Sequence, residues 1–118
     1  MTPDAFLDDW YAWATNQMAH ALIGLALTGV LAVILRAIAG RERRALSLAI
    51  VAAVYFVGWE SAWQAFGAGL LDALADTAFV AIGGLIGISA WAQKGAQLAV
   101  AAVAVAGILV AGIVRRWR

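Results

Sequence analysis

The chain has no cysteine, one proline and one histidine, and charged residues fill only 13% of its 118 positions. Without cysteine there is no disulfide framework, thiolate nucleophile or zinc knuckle, and the redox compartment is left open. The net charge of +1 is too small for an electrostatic hold on nucleic acid, and the basic residues sit at the ends of apolar runs rather than along a stripe. Nucleic acid is therefore excluded as a partner. No HExxH pattern accompanies the lone histidine, and Ser61, beside Glu60, lacks a GxSxG-type elbow. An enzyme is not the expected class, and no cofactor is implied.

What the chain has instead is apolar length. It is 65% hydrophobic, with a mean hydropathy of +0.91. A soluble domain of this size covers its surface with charge at about a quarter of its positions, roughly twice the share found here. The simpler solvent is a bilayer, and the expected fold is all-α: an integral membrane bundle of four transmembrane helices behind a short interfacial amphipathic helix. The interfacial helix covers about residues 3–13, where Pro3 suits a first helical position and Phe6, Trp10, Trp13 and Gln17 follow helical spacing. Asp4, Asp8 and Asp9 make this start acidic, unlike a secretory signal peptide. The spans cover about 14–38, 46–65, 70–91 and 96–114, each able to cross about 30 Å of hydrocarbon at about 1.5 Å per residue.

Polar residues inside these spans are few, so each needs a reason. Asn16, His20, Gly24 and Thr28 recur every four residues and form one stripe that faces protein. Glu60 and Gln64 close the second span beside Trp59 and Trp63. Asp72, Asp76 and Thr77 open the third, which continues through Gly83 and Gly87, a small-xxx-small helix contact. The fourth span is almost wholly alanine, valine, glycine, isoleucine and leucine, and suits closing the bundle or meeting a second copy in a homo-oligomer.

Four spans put both termini on one side and the Arg36 to Arg44 connection with Lys94 on the other. Five basic residues there oppose Arg115, Arg116 and Arg118, so the positive-inside rule favours a cytoplasmic first connection and termini outside. Whichever orientation holds, connectivity brings Asn16, His20, Glu60, Gln64, Asp72 and Asp76 to one leaflet, with tryptophans as a possible aromatic rim. Asp76 and His20 lie deepest and are the pair expected to bond or share a proton. Such a pocket can engage a lipid headgroup, a cation or a partner helix, and a divalent metal is one possible occupant. The plainer reading is that it pins helix register.

The order of these residues resembles that of VanZ-like small membrane proteins and related hydrophobic proteins of bacteria and prophages. The likeness rests on His20 with Gly24, Glu60 with Gln64, and Asp72 with Asp76 ahead of a glycine-rich third span. It implies a polar patch near the outer face of a bacterial inner membrane and a role at the envelope, around lipid-linked wall precursors or glycopeptide sensitivity. The chain departs from that pattern where an arginine is usual, having only Phe66, Gly67, Ala68 and Gly69, and it carries Asp76 and Phe79 where asparagine and glycine are common. Small size, several spans and a basic tail also fit a holin-like permeabilising protein. An ion pathway fits less well, because the second and fourth spans have no polar residue at their centres.

Overall fold

The computed structural model of the protein describes residues 9–65, 67 and 69–117. It is all-α. Helix α1 spans Trp10–Ala39, α2 spans Arg44–Val54 and runs directly into a π-helical segment, Tyr55–Trp63, and α3 and α4 span Leu70–Trp91 and Gly95–Arg116. All four helical stretches are long and apolar enough to cross a membrane. Most of the expected interfacial helix lies outside the described residues. Its last positions, from Trp10, belong to α1, which Asp9 caps by accepting a hydrogen bond from the Ala12 backbone N–H at 3.0 Å.

The helices end where the backbone can turn. Gly40 adopts φ +73° and donates its N–H to the Arg36 carbonyl, closing α1 in the left-handed conformation that glycine takes without cost. At the end of α3, Gln93 takes a similar conformation at φ +57°. Its N–H bonds the Ala90 carbonyl while Lys94 N–H bonds that of Ser89, the paired closure of a Schellman motif.

Helices α1 and α3 form the central seam, and glycines let them close on it. A Cβ at Gly24 would collide with the Val80 carbonyl, and one at Gly83 with the Ala21 carbonyl. Backbone therefore lies on backbone, and no larger residue fits at either position. Helices α2 and α4 each pack on both members of this pair and do not meet among the described residues, so the bundle is flattened, measuring 50 × 32 × 16 Å.

The buried face of α1 is Trp13, Gln17, Ala21, Gly24, Thr28 and Ala32. Of the expected stripe only Gly24 and Thr28 lie at its centre; Asn16 and His20 flank it, half-buried. A pure four-residue step drifts by about 40° per turn, and one three-residue step, from Ala21 to Gly24, restores the face.

Burial runs opposite to that of a water-soluble protein. Gln17, Thr28, Ser47, Glu60, Asp76, Ser89 and Arg116 are inside, while Leu22, Leu27, Val33, Ile38, Val103 and Val114 are among the many large apolar side chains outside. Water selects the reverse pattern; lipid tolerates this one, since acyl chains are as apolar as leucine.

Candidate functional site

The first turns of α1 and α3 and the π segment of the second span meet at one end of the bundle. In an α-helix a residue five positions on lies about 140° around the axis. The π segment widens the turn, as its i→i+5 bond from Gln64 N–H to the Trp59 carbonyl shows at 2.9 Å, and so turns Tyr55 and Glu60 to one side. The Tyr55 hydroxyl donates to Glu60 Oε1 at 2.7 Å. The segment contains Gly58, Val57 and four aromatic residues, all of which hold a regular α-helix weakly.

Asp76 is the centre of the site. It is only 5% exposed, and its Oδ1 accepts from Gln17 Nε2 at 2.7 Å across the seam. On its other side His20 Nε2 stands 3.6 Å from Oδ2. The second imidazole nitrogen, Nδ1, is 2.7 Å from the Asn16 carbonyl oxygen. A carbonyl can only accept, so Nδ1 carries the hydrogen and Nε2 is the nitrogen turned to the carboxylate. An imidazole lone pair and a carboxylate lone pair face each other there. A proton or another cation can bridge that gap.

Glu60 completes the group. It is 3% exposed, and one potential ligand atom each from His20, Glu60 and Asp76 lies within 4.8 Å of the other two. The His20 and Tyr55 rings meet edge to face with centroids 5.8 Å apart, which fixes the imidazole between α1 and the π segment. Asp72 lies one turn ahead of Asp76 on the same face of α3.

The expected site residues thus separate. His20, Glu60 and Asp76 come together, and Asp72 stands beside them. Asn16 contributes its backbone carbonyl rather than its side chain. Gln64 closes the π segment through its backbone, and its side chain makes no hydrogen bond among the described residues. Thr77 turns its hydroxyl back onto the Ala73 carbonyl. No serine or threonine hydroxyl is bonded to His20 among the described residues, so the group lacks the nucleophile and base pairing of acyl transfer.

Two members escape the sequence reading. Gln17 falls on the face assigned to an interfacial helix, yet it is fully buried against Asp76. Tyr55 reads as one more apolar residue of a span, because only the widened turn directs its hydroxyl to Glu60. The signal for Gln17 was its place four residues after Trp13 and four before Ala21. A third finding concerns the tail: the Arg116 guanidinium lies 4.3 Å from the centre of the Trp13 ring and is buried, with Trp10 packed on Trp117 beside it.

The chain matches no family model, no curated protein and no solved structure. The chemistry of the site is therefore read from its own atoms.

Proposed function

We propose that this is a small polytopic membrane protein with a binding or accessory role, whose His20, Glu60 and Asp76 pocket engages a cation in one leaflet. The observation that carries this reading is the convergence of one imidazole and two carboxylates, from three helical segments, with their ligand atoms inside 4.8 Å. Buried carboxyl groups in a membrane are costly as anions unless compensated, and a bound cation beside the imidazole supplies that compensation. An anionic headgroup meets repulsion in such a pocket. On the positive-inside rule the Arg36 to Arg44 connection and Lys94 face the cytoplasm of a bacterial inner membrane, and the pocket opens outward. That setting agrees with an envelope role of the kind the VanZ-like resemblance implies.

Thermal unfolding of the purified chain in lipid nanodiscs tests the reading. Wild type is compared with His20→Ala, Glu60→Gln and Asp76→Asn, with divalent cations or anionic lipid added. A cation is expected to raise the Tm of wild type and to lose that effect in the variants. If no addition moves wild type while each substitution lowers its Tm, the group is internal glue that pins three helices. Gln17 bonded to Asp76 and Tyr55 bonded to Glu60 favour that second reading. Prolonged harmless expression is expected on either, and abrupt permeabilisation of the host membrane would instead make the chain holin-like.

A further inference from the structure

We infer that the pocket is a site for a first-row divalent transition ion of the Zn2+ type, held by His20 Nε2, one oxygen each of Glu60 and Asp76, and Gln17 Oε1. This rests on the cation reading above and deepens it by naming the class of ion.

The donor set makes the first argument. Mg2+ and Ca2+ take oxygen shells, whereas an imidazole with two carboxylates suits the ions that follow them in softness. Orientation makes the second. Histidines that bind metal characteristically donate their other ring N–H to a carbonyl or carboxylate, and His20 does so to Asn16 at 2.7 Å, which leaves Nε2 aimed at Asp76. Glu60 is braced in the same way by the Tyr55 hydroxyl.

Gln17 makes the third and independent argument. Its Nε2 is spent on Asp76 Oδ1, and its Oε1 has no hydrogen-bond partner although the residue is 0% exposed. A buried amide oxygen without a donor costs about 1–3 kcal/mol. The Nε2 bond to Asp76 holds the amide against one ligand of the site, and its oxygen is the fourth donor assigned to the ion. With the ion bound, a neutral imidazole, a neutral amide and two carboxylates give a shell of charge −2, which a divalent ion cancels.

The fit needs little motion. A four-coordinate ion with donors at about 2.0–2.2 Å sets them roughly 3.3–3.6 Å apart. His20 and Asp76 already stand at 3.6 Å, so a gap of up to 4.8 Å elsewhere closes by roughly 1.2–1.5 Å. Glu60 sits on the π segment, a helix form found frequently at functional sites.

The test is an optical titration of the full chain, stripped of metal and held in nanodiscs of untagged scaffold, with Co2+ as the probe. Wild type is expected to develop the strong visible bands of four-coordinate Co2+, which Zn2+ abolishes by displacement and excess Mg2+ or Ca2+ does not. His20→Ala should lose the bands. Because that variant also removes packing against Tyr55, Tyr55→Phe serves as the milder companion: it deletes one hydroxyl and should weaken Co2+ binding about 10–100-fold. Gln17→Leu should shift the spectrum toward a different coordination. Wild type that is stabilised by Mg2+ or Ca2+ but gives no Co2+ bands overturns this inference and leaves the cation reading standing. Failure of every cation to bind overturns both, and Co2+ binding unchanged in His20→Ala assigns the metal to some other place and overturns the site.

Discussion

The two ends of the bundle carry charge in opposite ways. At one, Arg36, Arg41, Arg43 and Arg44 gather about Glu42, which pairs with Arg44 and stands 3.4 Å from Arg36, whose side chain is 60% exposed. At the other, Glu60 and Asp76 are buried and bonded to side chains from other turns or other helices. At the basic end Arg36 and Arg41 are exposed and Glu42, Arg43 and Arg44 half-buried, and the ion pairs stay within residues 36–44, so the charge there constrains little beyond one connection. Charge at the acidic end is buried near the end of the second span and the start of α3, where it must find partners among the helices, so it fixes how three segments meet. The same residue types thus mark topology at one end and architecture at the other.

The largest effect is expected from separating the acidic partners without touching them. Gly24→Val puts a branched side chain where even a Cβ meets the Val80 carbonyl, forcing α1 from α3. Overpacking of this kind costs about 3 kcal/mol. It should appear in detergent-driven unfolding as a large loss of stability, and the Gln17 to Asp76 bond should be lost with it. If stability is unchanged, the glycine seam does not hold the acidic end together, and the contrast between the ends rests on something else.

Next in size is Gln17→Ala, which removes the donor to Asp76 and leaves a buried acceptor. A loss of about 2 kcal/mol is expected by the same unfolding measurement. Hydrogen bonds between membrane helices commonly contribute only about 0.6–2 kcal/mol, because the separated helices find other partners. A loss near zero would therefore mean that Asp76 reaches water or Asp72 equally well, and that the acidic end is no more constrained than the basic one.

Most of the fold was legible in the sequence because apolar length, glycine and arginine act locally. The third helix was expected at about 70–91 and is observed at Leu70–Trp91. The meeting of His20, Glu60 and Asp76 followed from connectivity, as up-and-down spans return their polar ends to one side. What stayed hidden depends on rotation about helix axes. Which of Asn16 or Gln17 faces the seam turns on a single three-residue step near Gly24, and whether Tyr55 faces Glu60 turns on a π segment that no simple spacing rule announces. Arg116 was assigned to the tail as a topological charge; its place on Trp13 depends on α4 lying where Gly112 lets the indole close, since a Cβ there would strike that ring.

A smaller change sharpens the comparison from the basic side. Gln93 holds the left-handed position that ends α3, a conformation that favours glycine, and its side chain makes no hydrogen bond among the described residues. Gln93→Gly should raise stability by about 0.5–1 kcal/mol through relief of that strain, read as a rightward shift of the unfolding midpoint. Destabilisation would mean that the loop uses the glutamine side chain, and that this end is more specific than its exposed charges suggest.

The smallest effect is expected at Glu42, where the difference between the ends is most directly exposed. Glu42→Gln removes the one acid among four arginines, which by charge counting alone should be severe. The geometry argues otherwise: Arg36 is mostly in solvent, Glu42 and Arg44 are each 30% exposed, and pairs of this kind contribute roughly 0.2–1 kcal/mol before salt screens them. A loss under about 0.5 kcal/mol is expected, shrinking further as ionic strength rises. A loss as large as that of Gln17→Ala, and insensitive to salt, would show that the arginine connection is pinned as firmly as the buried carboxylates, and that charge at both ends of this bundle serves architecture.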